Sequence, residues 1–161
     1  MASRQYTVRP YNQRMAKRVA RRAHVDGEGA VAVAFTFNNL ATMLVIGAIE
    51  DVASYIPVFG AIADLAISVL GFYFRRIVLV TGQNVYVFRD LPFHYPGKVL
   101  LKEQRGPSAV HIGAPDGSGG FMRFIRRGQL NFQDGTIAYH SIWWIRRAQY
   151  VAQEANIPAG E

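Results

Sequence analysis

The sequence contains no cysteine, which excludes a disulfide framework, a thiolate metal site and a cysteine nucleophile. The Gly-rich stretch "DGSGG" at 116–120 does not match a phosphate-binding loop. It lies between two predicted strands, whereas such a loop is followed by a helix and, in nucleotide hydrolases, contains a lysine. No paired-carboxylate or nucleophile–base pattern is found. The histidines have no metal-ligand spacing; they are His24, His94, His111 and His140. We therefore expect a chain that is not an enzyme, with no catalytic residue, cofactor or metal.

Lysine and arginine are absent from the middle of the chain, and this divides the charge into three blocks. Residues 1–28 carry seven bases and two acids (net +5), residues 29–74 three acids and no base (net −3), and residues 75–161 eleven bases and six acids (net +5). This order predicts a basic cytoplasmic arm, a transmembrane helical hairpin and a cytoplasmic domain. Nucleic-acid binding is the competing explanation of the excess base.

Two apolar runs of equal length, 29–49 and 54–74, indicate the hairpin. A helix of 21 residues is about 31 Å long, which matches the hydrocarbon core of a bilayer. Glu50 and Asp51 lie between the runs at the expected tip, where no base is present. Because the bases lie in the flanks, both chain ends are expected in the cytoplasm of a multi-pass inner-membrane protein. The alternative is a buried helical hairpin of a soluble protein.

Three polar residues lie near the middle of the predicted spans. Asn38 and Asn39 belong to the first run and Asp64 to the second, and folding the runs back about residue 51 brings 38 and 64 level. Polar groups at this depth face protein or water rather than lipid. They predict an internal hydrogen bond between the helices, a face that contacts another membrane subunit, or a proton or ion pathway.

The segment 12–24, "NQRMAKRVARRAH", has the composition of an amphipathic helix, with Met15 and Val19 one turn apart. Beside a membrane span, its bases predict an interfacial helix on an anionic lipid leaflet, and the alternatives are nucleic-acid binding and a solvated basic flank. Other basic pairs are predicted to contribute to contact with anionic lipid headgroups or an acidic partner. The full set is Arg14, Lys17, Arg18, Arg21, Arg22, Arg75, Arg76, Arg126, Arg127, Arg146 and Arg147.

Short β-type runs separated by turn residues follow from position 76, and a helical pattern closes the chain. Seven strands are predicted at 76–81, 85–88, 98–104, 109–114, 121–126, 129–133 and 136–140. Ser141 is expected to begin a helix that runs to about Asn156 and packs Trp144 on the sheet. Trp143 then lies about 100° round the helix, where an exposed aromatic side chain favours a protein contact.

Three stretches carry a resemblance to a known family: "IVLVTGQNVYVFRDLPF", "LNFQDGTIAYH" and "RRAQYVAQEANI". Over residues 76–157 the chain resembles the bacterial pleckstrin-homology-like (PH-like) domains that lie beside membrane helices. The resemblance implies a seven-stranded barrel with a C-terminal capping helix, and a binding or scaffolding role rather than catalysis. Residues 81–84, "TGQN", lack the basic cluster that inositide-binding members carry at the first hairpin.

The sequence therefore predicts an α+β membrane protein, in which a two-helix transmembrane hairpin precedes a PH-like barrel with a capping helix. Its expected function is that of a non-catalytic, membrane-anchored accessory or scaffold subunit of a larger inner-membrane complex, with an integral-membrane protein as partner. The alternatives are a PH-like sensor of anionic lipid surfaces, a holin-like pore protein and a soluble oligomeric protein that binds nucleic acid.

Overall fold

The computed structural model describes residues 10–38, 45, 74–113, 128–140 and 145–159. These residues form two α-helices and seven strands. In chain order they are α1 (Pro10–Arg22), β1 (Ala30–Phe37), β2 (Arg75–Thr81), β3 (Asn84–Leu91), β4 (Tyr95–Gln104), β5 (Val110–Gly113), β6 (Gly128–Phe132), β7 (Ile137–His140) and α2 (Ile145–Ala155). Short 3-10 helices at Asp26–Glu28 and Pro92–His94 join α1 to β1 and β3 to β4.

The strands form one antiparallel sheet in the order β4-β3-β2-β1-β7-β6-β5. β1 is the central strand and pairs with β2 over most of its length, from Ala30 opposite Thr81 to Phe37 opposite Arg75. The chain leaves this pair at Asn38 and rejoins it at Phe74, where the Asn38 N–H donates to the Phe74 carbonyl at 2.9 Å. The residues between therefore connect two neighbouring strands of the sheet.

β1 is apolar on both faces because a helix covers each face of the sheet. Val33 faces α1, whereas Ala32 and Ala34 face α2, with the side-chain period of two that a strand imposes. A strand buried on both faces reads as a continuous apolar run rather than as an alternating one. In composition alone, "AVAVAFTF" therefore matches the beginning of a membrane span.

The prediction of a two-helix transmembrane hairpin followed by a barrel is wrong. Residues 30–37, assigned to the first span, form the central strand of the sheet. Within the described ranges, no helix has both the length and the apolar composition needed to cross a bilayer, so the predicted multi-pass inner-membrane location is not supported. Asn38 is exposed at the end of β1 rather than at mid-bilayer depth, and Asn39 and Asp64 lie outside the described residues.

Helix α1 packs on one face of the sheet through a stripe of small residues. Ala16, Val19 and Ala20 are fully buried against β1, β2 and β3. The helix ends in a Schellman motif: His24 has a left-handed φ of 57°, and the Val25 N–H donates to the Ala20 carbonyl at 3.0 Å. This ending turns the chain directly into the Asp26–Glu28 turn and β1.

Helix α2 packs on the opposite face, and the sheet curves around it. Leu101 of β4 and Val110 of β5 belong to the same buried cluster as the α2 side chains, although these strands form opposite edges of the sheet. A further link crosses this curve, since the Asp134 N–H donates to the Glu103 carboxylate at 3.3 Å. The Asn156 amide bonds both backbone groups of Val110, at 3.0 and 2.8 Å, and so takes the place of a strand partner beside β5.

Most predicted elements of the C-terminal region are present. Six of the predicted strands correspond to β2 to β7, and α2 lies within the predicted final helix. The Asp134–Gly135 turn is confirmed: Gly135 has a φ of 85°, and the Asp134 carboxylate accepts from the Thr136 N–H at 2.7 Å. The predicted strand 121–126 lies outside the described residues.

Candidate protein-binding surface

The exposed face of α1 is a row of positive charge. Arg14, Lys17, Arg18 and Arg21 are all exposed, and their i, i+3, i+4 and i+7 spacing places them on one side of the helix. The helix contains five bases and no acid. Among the residues that the structure describes, no carboxylate forms an ion pair with any of these four. We call these four residues the basic row.

Arg22, the last residue of α1, joins the helix to the turn between β3 and β4. Its Nη1 donates to the Phe93 carbonyl at 2.8 Å and to the His94 carbonyl at 3.4 Å. Its guanidinium carbon lies 5.6 Å from the centre of the Tyr95 ring, within the range of a cation–π contact. Arg22 therefore ties the basic row to an aromatic surface.

This surface is the aromatic turn, which we define as residues 92–95. Phe93 and His94 both have left-handed backbone angles, with φ of 60° and 53°. A left-handed φ costs a non-glycine residue energy, and such conformations concentrate at functional sites. The side chain of Phe93 is 92% exposed, so it gains almost no burial in return for this conformation.

Asp90 and Phe35 contact the His94 side chain of the turn. His94 Nδ1 lies 3.1 Å from Asp90 Oδ2, and the His94 ring lies 4.0 Å from the Phe35 ring, centre to centre. Asp90 is only 3% exposed, and its Oδ1 has no hydrogen-bond partner in the described part of the chain. A buried carboxylate is costly unless it is paired, so the contact with His94 fixes the position of the histidine ring.

Exposed apolar side chains continue from the aromatic turn along the edge strand β4. Tyr95, Val99 and Leu100 are exposed, and Val99 lies opposite Phe88, whose side chain is on the α1 face of the sheet. The register of β4 shifts twice, between Val87 and Phe88 and again before Asp90. Bulges of this kind disrupt an edge and oppose simple strand addition. The side chains are thus more accessible to a partner than the backbone is.

A second polar cluster surrounds Glu28, in the short 3-10 helix that follows α1. Glu28 accepts hydrogen bonds from the Thr81 hydroxyl at 2.6 Å, the Tyr86 hydroxyl at 2.6 Å and the Asn84 amide at 3.0 Å. Burial alone would raise the pKa of Glu28, but these three hydrogen bonds and the nearby Lys102 outweigh it and lower the pKa. The cluster fixes the α1–β1 connection to the β2–β3 hairpin.

Tyr86 predicts a loss of stability in alkali. Burial, followed by the hydrogen bond to Glu28 and the charge of Glu28, raises its pKa from 10.0 to about 12. The raised pKa means that the folded state favours the protonated phenol. This stabilisation is complete below pH 10 and is lost as the pH rises from 10 through 12. Urea titrations should show that the free energy of unfolding falls less between pH 9 and pH 11 for Tyr86→Phe than for wild type. Equal falls would contradict the assignment.

The structure separates the predicted basic contacts into different surfaces. Arg75 and Arg76 lie half-buried in β2, and burial, followed by the charge of Arg89, lowers the pKa of Arg76. Arg146 is exposed and Arg147 half-buried on α2, across the sheet from α1. Arg126, Arg127 and Trp143 lie outside the described residues.

Several residues of this surface were not found from the sequence. From the sequence, these residues lie between the predicted strands 85–88 and 98–104, and no role was predicted for Phe93, His94 or Asp90. A short polar-aromatic loop between two strands was the available signal, but neither the left-handed backbone nor the contact with Arg22 can be read from spacing. Four of the five predicted bases of α1 are, in contrast, brought together as one row, and the fifth, Arg22, contacts the aromatic turn.

The described residues also form a concave surface away from α1 and the aromatic turn. A shallow groove of about 410 Å³ lies between β5 and α2, lined by Ile112, Gln149, Ala152 and Gln153 among others. In the described residues, no three His, Cys, Asp or Glu side chains are grouped so that they could hold a metal ion. The basic row and the aromatic turn form the surface where charge, exposure and backbone strain coincide.

These features define an α+β domain with one helix on each face of an antiparallel sheet and a basic, aromatic surface at one end. Comparison of the chain with models of protein families, with curated proteins and with solved structures found no match. The resemblance to PH-like domains therefore stays a prediction.

Proposed function

We propose that this protein is a non-catalytic accessory or scaffold subunit that binds an acidic surface of a partner protein through α1. The observation that carries the proposal is the basic row itself: Arg14, Lys17, Arg18 and Arg21 are exposed on a helix that contains no acid. The opposite face of the helix is buried against the sheet. The row is therefore presented on a fixed support.

The basic row does not stabilise the helix that carries it. Arg14 and Arg18, and likewise Lys17 and Arg21, are like-charge pairs one turn apart, and each such pair costs a few tenths of a kcal/mol. The helix dipole favours Arg21, in the last turn of α1, but the other three bases of the row lie outside that turn and gain nothing from it. The arrangement opposes helix stability, and an anionic partner would remove the repulsion. Binding is thus the better explanation of the row than folding.

The neighbouring aromatic turn favours a protein over other polyanions. Arginine, tyrosine and phenylalanine are enriched in protein interfaces, and arginine and tyrosine are enriched among the few residues that dominate the affinity. Arg22, Phe93 and Tyr95 are in contact or adjacent at the end of the row. Single-stranded nucleic acids need a series of aromatic side chains on which successive bases stack. An anionic lipid surface and nucleic acid are retained as outcomes of the test.

Reversing the charge of the basic row should weaken binding to an acidic peptide. A variant carrying Arg14→Glu, Lys17→Glu, Arg18→Glu and Arg21→Glu should bind a 20-residue Glu-rich peptide containing Leu and Tyr at least about 30-fold more weakly. Four exposed ion pairs at roughly 0.5 kcal/mol each give about 2 kcal/mol. Fluorescence anisotropy near 0.1 M salt measures the effect, and circular dichroism checks that α1 is retained.

A matched pair of single variants provides the control. Arg18→Glu and Arg146→Glu reverse the same charge at exposed helical positions on opposite faces of the sheet, and only the first should weaken binding. A phosphatidylserine vesicle and a 20-base-pair DNA duplex serve as competing probes under the same conditions. Tighter binding to either, or equal effects of the two single variants, would contradict the proposal of an acidic protein partner.

A further inference from the structure

The side chain of Phe93 is held outward by a backbone conformation that its own chemistry disfavours. Its φ of 60° and ψ of 27° lie in the left-handed region, which glycine and asparagine adopt most readily. The ring is 92% exposed, so packing within the described chain does not compensate for the strain. Neither folding energy nor backbone preference explains a phenylalanine at this position.

Pro92 and four contacts hold the turn in this one conformation. Pro92 restricts the first position of the turn, and Arg22 donates to the carbonyls of Phe93 and His94. His94 in turn contacts the buried Asp90 and the Phe35 ring. A side chain fixed in advance loses less conformational entropy on binding, and this increases affinity. The turn thus has the properties of a preorganised binding element.

We infer that Phe93 is the anchor of the interface, and that it enters an apolar pocket with an acidic rim on the partner protein. This inference rests on the proposed function, since it names the chemistry of the partner. The pocket must be apolar because the ring carries no polar atom. Its rim must be acidic because Arg22 lies at the base of the turn and the basic row continues from it along α1. Exposed Tyr95 extends the same contact.

Replacing Phe93 by glycine separates the binding role from any structural role. Glycine adopts this φ without strain, so Phe93→Gly should leave the unfolding midpoint unchanged or raise it. Phe93→Asn, which also tolerates the left-handed region, provides a second variant with the same expectation. In contrast, loss of an aromatic anchor typically weakens binding about 30-fold or more. A residue with a purely structural role could not combine unchanged stability with lost binding.

The probe is a set of peptides selected on the full chain from a phage-displayed library of random 16-residue sequences. The selected peptides should contain acidic residues around Leu, Trp or Phe, and should bind Phe93→Gly and Phe93→Asn at least about 30-fold more weakly than wild type. Phe93→Leu should restore part of the affinity, because it keeps an apolar side chain. Ile137→Ala, an exposed apolar position on β7, should bind as wild type does.

The two proposals fail in different ways. If reversal of the basic row weakens binding of the selected peptides but Phe93→Gly does not, the anchor is wrong and the acidic partner is retained. If neither change weakens binding, or if no peptide is selected, both are wrong. Selection of peptides without acidic residues that still depend on Phe93 would overturn the acidic rim. If the chain binds phosphatidylserine vesicles more tightly than the selected peptides, and this binding requires Phe93, the proposed pocket on a protein partner is wrong.

Discussion

Replacing Arg105 by alanine should lower the free energy of unfolding by about 4 kcal/mol, which is roughly a thousandfold change in the folding equilibrium. Arg105 is only 9% exposed. Its guanidinium donates to the Glu154 carbonyl at 2.6 and 2.9 Å and to the Thr81 carbonyl at 3.2 Å. It also lies 3.5 Å from the Glu154 carboxylate. Arg105 therefore connects the end of α2 to the β2–β3 hairpin.

The size of the effect follows from the groups that Arg105 leaves behind. The Glu154 carbonyl lies in the last turn of α2 and loses its two shortest hydrogen bonds, so that it keeps only the longer one from the Ile157 N–H at 3.3 Å. Each buried polar group left unsatisfied costs about 1–3 kcal/mol, and the Glu154 carboxylate also loses its counter-charge. A cation at a helix C-terminus further interacts favourably with the helix dipole. The loss therefore exceeds that of an ordinary surface arginine.

Urea denaturation measures this change, with Arg146→Ala as the control on the same helix. Arg146 is exposed, and its removal should change stability by less than about 0.5 kcal/mol. The stability of Arg105→Lys should lie between those of Arg105→Ala and Arg146→Ala, because lysine keeps the charge but cannot form the forked contact. If Arg105→Ala and Arg146→Ala have equal midpoints, Arg105 does not hold α2 to the hairpin.

Removal of the Glu28 carboxylate has the second-largest expected effect, about 3 kcal/mol for Glu28→Ala. The Tyr86 and Thr81 hydroxyls are buried and donate to this carboxylate. Alanine leaves the buried Tyr86 hydroxyl without its acceptor. Glu28→Gln keeps an acceptor oxygen and should cost less. Asp26→Asn, in the same turn but exposed, should be close to neutral in the same urea titration.

Glu28 also predicts a loss of stability in acid. Its pKa is lower in the folded protein than its ordinary value of 4.5, so folding favours the ionised form. This stabilisation is complete above pH 4.5 and is lost as the pH falls through the lower, folded-state pKa. The difference in stability between wild type and Glu28→Gln should therefore shrink as the pH falls below 4.5. A difference that is the same at pH 7 and at pH 3 would contradict this role.

The strands of the C-terminal region could be predicted because their signals are local. Gly82 and Asn84 mark the β2–β3 hairpin, and Asp134–Gly135 marks the β6–β7 turn. Alternation in "QLNFQ" correctly placed Leu130 and Phe132 on one face, and both are buried in the α2 cluster. These features depend on neighbouring residues and on a side-chain period of two.

The central strand could not be predicted by the same reasoning. In β1, Val33 faces one helix and Ala32 and Ala34 face the other. Both faces are therefore apolar and the alternation disappears. Its pairing partner in the sheet begins at Arg75, 38 positions after Phe37, so the contact that defines the strand is not local. Only the tertiary arrangement distinguishes this strand from the start of an apolar helix.

The candidate surface was predicted in part. The bases of α1 and their place on a helix were identified from the sequence. The apolar face of this helix was expected to lie on a lipid bilayer, but it packs on the sheet. The aromatic turn was missed because it depends on the contact of Arg22 with Phe93, 71 positions away. Two consecutive left-handed residues, neither of them glycine, have no sequence signature. The strain that marks the site is visible only in three dimensions.

The most direct test of the central claim is an NMR titration of the ¹⁵N-labelled full chain with an acidic, Phe93-dependent peptide from the selection. If α1 and the aromatic turn form the binding surface, chemical-shift changes will concentrate at residues 14–22 and 92–95. Amides of Ile112 and Gln153, which line the groove on the other side of the molecule, will change little. Changes that concentrate at that groove and leave 14–22 unaffected would contradict the account.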